Sequence, residues 1–153
     1  MKTAIMICLA LLLAAVSATA TQDLGATYVG STACMDCHPD EYDSYKQYSK
    51  KASSGESVRI LAEDLTEEEL KGCFSCHTTG YGRPGGFESF KETPEMADLG
   101  CETCHGPGYG HVNMGGDPAL IRTNLDVKDC QTCHNEERIG AFNYKPLLFG
   151  GAH

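Results

Sequence analysis

The pattern of hydrophobic and polar positions predicts short helices separated by polar connections. Tyr42, Tyr45 and Tyr48 recur every three residues behind the Pro-Asp-Glu of 39–41, which predicts a helix over 39–51. Alternating patterns typical of strands are scarce along the chain.

Later segments carry their own helix and loop signals. Thr66 and Glu69 form the two ends of a capping box, which predicts a helix over the following turns. Proline in the first turn predicts short helical turns after Thr93 and after Asp117. The connection over 77–90 holds four glycines and a proline, so it is predicted to be a loop.

The first twenty residues have the pattern of an export signal. Lys2 precedes an apolar run over 4–16 and a small-residue ending at 18–20, too short for a lasting membrane span. We therefore expect cleavage after residue 20 and one domain, 21–153, in the periplasm or outside the cell. No second apolar run follows, so no stable membrane span is expected.

The cysteines outside this signal fall into four identical motifs, numbered one to four, each C-x-x-C followed at once by histidine. Two cysteines three apart can form thioethers to the vinyl groups of one haem, and the adjacent histidine then lies under its iron. Four copies predict four covalently attached haem c groups. The attachment cysteines are Cys34, Cys37, Cys73, Cys76, Cys101, Cys104, Cys130 and Cys133, and the proximal iron ligands are His38, His77, His105 and His134.

Other uses of paired cysteines fit the motifs less well. Four C-x-x-C pairs could build two zinc sites, but zinc does not explain a histidine at the same offset each time. A disulfide framework has no use for these histidines either. Thioredoxin-like chemistry would need one such pair at a strand-helix junction, not four.

The expected number of haems determines the fold that we predict. With roughly 33 residues for each haem, the chain is too short for a large side-chain core. We predict a compact multihaem cytochrome c, mainly α with little regular structure, whose short helices and glycine-rich loops wrap around the haems. Tyr81, Phe87 and Phe90 are expected to pack against a haem edge.

The histidine count limits ligation. Six histidines serve four irons, where histidine on both faces of every haem would need eight, and only His111 and His153 remain as distal ligands. Self-assembly cannot remove this deficit. His111 is expected to reach a different haem from His105, because six residues span only about 20 Å and a Gly-Pro-Gly turn bends the path.

Several groups could fill the remaining sixth positions. Met96 or Met114 could supply a thioether. Lys50 or Lys51 could ligate as a neutral amine, although a solvated helix end is the simpler interpretation of both. An open, five-coordinate iron is the other alternative, and it would bind small molecules.

The sequence resembles the tetrahaem cytochrome c554 family, the electron acceptors of hydroxylamine oxidoreductase in ammonia oxidisers, at STACMDCH, GCFSCHTTGYGRPGGF and LGCETCHGPGYGH. The resemblance implies His111 as distal ligand of the first haem, His153 as that of the fourth, and a five-coordinate second haem on His77. It also implies a distal histidine for the third haem in the helix after motif one. Here that helix reads SYKQYSKKAS, with Lys50 near the expected place.

An exported carrier that relays single electrons through four haems is the leading hypothesis, with no catalytic residues of its own.

With 21 acidic and 12 basic residues, the net charge of −9 excludes nucleic acid and favours redox partners with a basic docking face. The acidic run at 63–69 is expected to be a solvated face, with a docking site for a basic partner as the alternative.

The alternative functions are a small redox enzyme acting on nitric oxide, nitrite or hydroxylamine at a five-coordinate haem, and a subunit of an extracellular haem filament. Self-assembly is permitted but not signalled.

Overall fold

The computed structural model describes residues 24–135, so the predicted export signal, His153 and the chain after 135 lie outside the described residues. Within them 57% of residues are helical and no strand is present. The helices are α1 (Thr32–Met35), α2 (Pro39–Tyr48), α3 (Ser54–Leu61), α4 (Glu67–His77), α5 (Cys101–His105), α6 (Tyr109–Asn113) and α7 (Val127–Gln131), with 3-10 turns at Leu24–Ala26, Lys50–Ser53, Ala62–Asp64, Pro94–Met96 and Pro118–Leu120. The prediction of a mainly α chain with short helices is confirmed, although regular structure is more extensive than expected.

Helix α2 begins at Pro39 as predicted and ends before the predicted limit. Ser49 has extended backbone angles, which stop the helix, and residues 50–53 form a separate 3-10 turn. Tyr45 is buried and its hydroxyl donates to the carbonyl of Leu99, whereas Tyr48 is 73% exposed. Helix α2 therefore packs against the segment that leads into motif three through the ring of Tyr45.

Helix α4 starts at the predicted capping box. The Thr66 hydroxyl accepts from the Glu69 N–H at 3.3 Å, and the Glu69 carboxylate accepts from the Thr66 N–H at 2.9 Å. The helix then runs through motif two to His77. The short helical turn predicted after Thr93 is present at Pro94–Met96, and motif three begins a separate helix at Cys101.

A small side-chain core lies behind motif two. Phe74, inside the motif, packs edge-on against Phe87 and Phe90 with ring centroids 4.9 and 5.9 Å apart. Phe87 is only 1% exposed, so the expectation that it lies against a haem edge is wrong. Val58 of α3 and Met96 are also buried in this core. The loop that carries Phe87 is non-helical, as predicted.

In the part of the chain that the structure describes, no helix is long and apolar enough to cross a membrane.

Candidate functional site

Each of the four motifs forms a single helical turn. Motif two ends α4 and motif three is α5, while in motifs one and four the histidine N–H donates to the carbonyl of the first cysteine at 2.9 Å. Residues i, i+3 and i+4 of a helix share one face. Both thiols and the imidazole of each motif therefore lie on the same face of the helical turn. The attachment of one planar macrocycle requires this arrangement.

The eight motif cysteines form no disulfide in the described part of the chain, and none is fully buried. Cys37 is exposed and the others are half-buried. Within residues 24–135 no three side chains of histidine, cysteine, aspartate or glutamate converge in a way that could hold a metal ion. The thiols of each motif are thus at least partly accessible on their helical turn.

Three histidines have their Nδ1 atoms directed at backbone carbonyls. The acceptors are Ser54 for His77 at 3.0 Å, Arg122 for His105 at 2.7 Å, and Asp117 for His111 at 2.9 Å. A carbonyl can only accept, so Nδ1 carries the proton and the Nε2 lone pair is left for a ligand. Metal-binding histidines show this arrangement almost always. His111, which belongs to no C-x-x-C-H motif, shares it.

The ring of His111 lies close to that of His38. The ring centroids of His38 and His111 lie 6.3 Å apart and the ring planes differ by 23°. Metal-imidazole bonds of about 2 Å, with about 1 Å more from nitrogen to ring centre, put two axial imidazoles of one metal roughly 6 Å apart. The separation of the two rings therefore agrees with that of two histidines on one haem iron, and this is the pairing that the family resemblance implies for the first haem.

The candidates for other sixth positions differ in environment. Lys51 is half-buried, and its charge opposes the rise that burial causes in the pKa of Cys104. Burial and the same charge lower the pKa of His134, which favours the neutral imidazole that ligates iron. Lys50 is exposed. Of these two lysines, Lys51 is thus the one beside motifs three and four.

Of the two methionines, Met96 is 3% exposed within the side-chain core and Met114 is 69% exposed. A thioether packed among Val58 and Phe74 already has apolar partners. Met96 is accordingly a core residue in this fold.

Motif three is bonded to motif two through Thr79. The Thr79 hydroxyl donates to the Asp98 carbonyl at 2.6 Å, accepts from the Gly100 N–H at 2.7 Å, and lies 3.1 Å from the hydroxyl of Thr103 inside motif three. Thr79 is 2% exposed. Since it follows His77 by two residues, the two motifs are held in a fixed relation.

Motif three also contacts motif one. The Cys101 N–H donates to the Ser31 hydroxyl at 3.1 Å. The Cys34 thiol donates a hydrogen bond to Cys101, which raises the pKa of Cys34 and lowers that of Cys101 to about 6. The first attachment cysteines of motifs one and three are therefore adjacent.

Arg122 joins motif three to motif four. Its guanidinium bonds the Cys104 carbonyl and Asp129 of α7, and its backbone N–H donates to the His105 carbonyl at 3.0 Å. Cys130 of motif four follows Asp129 directly. Motif three is consequently bonded to each of the other three motifs.

The sequence alone did not point to several of these partners. Ser54, Thr79 and Arg122 act through bonds to residues 17 to 23 positions away, including backbone atoms that no residue pattern marks. The capping box of α7, Asp126 to Asp129, was the one local signal that could have been recognised.

A helical chain that repeats the one-turn C-x-x-C-H site defines the class of c-type cytochromes. Residues 33–106, just under half of the chain, match the family described as cytochrome c554 and c-prime. This confirms the resemblance to that family over motifs one to three. A match to a cytochrome c family implies covalent haem c with its iron and a role in electron transfer. No curated protein and no solved structure gives a significant match.

Proposed function

We propose that the chain is an exported tetrahaem c-type cytochrome that relays single electrons between redox partners. The observation that carries the proposal is the fourfold repetition of one helical turn with two thiols and an imidazole on a common face. Motif four lies outside the matched family region but has the same backbone bonding as motif one. It is therefore included as the fourth attachment site.

Each side chain has a defined part in holding the haems. The motif cysteines attach the macrocycles, and His38, His77, His105 and His134 bind iron from the proximal side. His111 binds the iron of His38 from the opposite side, as their ring separation of 6.3 Å supports. We assign His153 to the fourth haem on the family resemblance. When bound, haem c supplies the one-electron chemistry.

The protein keeps the axial imidazoles and the motifs fixed. The carbonyls of Ser54, Arg122 and Asp117 hold the protons of three imidazoles at Nδ1 and so orient the rings. Motif three, bonded to the other three motifs, makes its haem the central member of the relay. Fixed positions favour electron transfer because little structure has to rearrange at each step.

The sequence supports the cellular part of the proposal. The pattern over 1–20 is that of an export signal, which directs the chain to the periplasm or the cell exterior. Its excess of acidic over basic residues favours redox partners with a basic docking face.

Haem stoichiometry tests the proposal. The full chain, produced in a host that attaches haem c, is expected to lack its leader and to carry four haems by intact mass and haem absorbance. Replacing both Cys130 and Cys133 with alanine should leave three. Cys8→Ala is the matched control, because Cys8 lies in the leader, and it should leave four. Fewer than four haems on the unsubstituted chain would overturn the tetrahaem assignment.

A further inference from the structure

Glu102, the residue after the first cysteine of motif three, is an almost completely buried carboxylate. It is 1% exposed. Oε1 accepts from the N–H groups of Val29 at 3.0 Å and Gly108 at 2.6 Å, and Oε2 accepts from that of Gly30 at 2.8 Å. In the region from 24 to 135, no lysine or arginine forms an ion pair with it. Its partners are backbone groups.

These partners belong to two separate segments. Val29 and Gly30 lead into motif one, and Gly108 is the N-cap of α6, the helix that carries His111. One carboxylate thus fixes motif three to the segment before His38 and to the helix that presents His111. The separation of these two rings depends on both connections.

The carboxylate also introduces charge at this place. Both oxygens act only as acceptors, which is the behaviour of the ionised form. A buried charge is screened far less than one in water. An anion favours the ferric over the ferrous state of a neighbouring haem because the ferric state carries one more positive charge.

We propose that Glu102 is a positioning residue that holds His111 opposite His38 and, by its buried charge, lowers the reduction potentials of the haems on motifs one and three. The inference rests on the proposed function, because it assigns those haems and the shared iron. It extends that function by naming the group that sets both ligand geometry and potential.

Glu102→Gln tests the proposal, because it keeps the size of the side chain and removes the charge. In the haem-loaded protein we expect two of the four one-electron steps to move to more positive potential. For each of these two haems, the ferrous-to-ferric ratio at a given applied potential should rise at least tenfold. This corresponds to a shift of about 59 mV for a one-electron couple. The low-spin electron paramagnetic resonance signal of the His38 haem should change as well. Glu68→Gln, which removes an exposed carboxylate, is the matched control.

Identical potentials and spectra in the Glu102→Gln and Glu68→Gln proteins would overturn the inference. If the Glu102→Gln protein does not accumulate, Glu102→Asp keeps the charge but shortens the side chain. Its potentials should stay near those of the unsubstituted protein while its low-spin signal changes, and an unchanged signal would overturn the positioning role. The haem count of the unsubstituted chain separately tests the proposed function, so the two failures are distinguishable.

Discussion

Replacing Gly55 with alanine should destabilise the protein, although the same change in an exposed helix normally stabilises by about 0.5–1 kcal/mol. Gly55 is buried near the start of α3. A Cβ at this position would lie 1.9 Å from the carbonyl oxygen of Ala97 and 2.9 Å from its carbon, so the backbone would have to move by about 1 Å or more. The movement would disturb the segment that leads into motif three.

The expected change in the free energy of unfolding combines two destabilising effects and one stabilising effect. Forcing atoms into a packed site costs about 1–3 kcal/mol. The Gly55 N–H also donates to Asp98 at 2.9 Å, and losing that bond adds about 1 kcal/mol. After subtracting the helix-propensity gain of about 1 kcal/mol, we expect a net loss of about 2 kcal/mol.

Chemical denaturation of the haem-loaded protein, followed by far-ultraviolet circular dichroism, measures this loss. Ser57→Ala is the matched control, because Ser57 is exposed on the same helix. It should be neutral or stabilising by a few tenths of a kcal/mol. A Gly55→Ala protein as stable as this control would refute the close approach of α3 to Ala97.

Three further predictions concern stability. Thr79→Val should cost about 2–3 kcal/mol, because a half-buried carbonyl and a half-buried N–H each lose a partner, while the haem count stays the same. Exposed Thr123→Val is its control. Phe87→Ala should cost about 3–5 kcal/mol in denaturant unfolding, against little change for exposed Tyr48→Ala. Bonds from the N-cap threonine lower the pKa of Glu69 below its ordinary value of 4.5. The ionised Glu69 carboxylate therefore stabilises α4 at pH values above 4.5, and this contribution is lost as the pH falls through the lowered pKa. Glu69→Gln should flatten the acid side of a stability-against-pH curve, and an unchanged acid side would contradict this assignment.

Local signals predicted the parts of the fold that depend on neighbouring residues. The capping box at Thr66 specifies the start of α4 through bonds that span three residues. The C-x-x-C-H motifs likewise contain all that one helical turn needs to place two thiols and an imidazole on one face. These elements were therefore accessible from the sequence.

Long-range contacts explain what the sequence did not reveal. Helix α3 contains serines and Gly55, which are poor helix formers, and it is stabilised by burying Val58 in the core. Glu102 in the motif reads as an ordinary surface residue, yet its partner Val29 lies 73 positions away. Phe87 packs into a small side-chain core, whereas the chain length led us to expect it against a haem.

Low-temperature electron paramagnetic resonance of the oxidised full-length protein, with the spins counted, tests the central claim most directly. The account predicts four ferric haems per chain, with at least one low-spin bis-histidine iron from His38 and His111 and no more than two such irons in total, since the chain has six histidines. Four bis-histidine signals, or the absence of ferric haem, would contradict it.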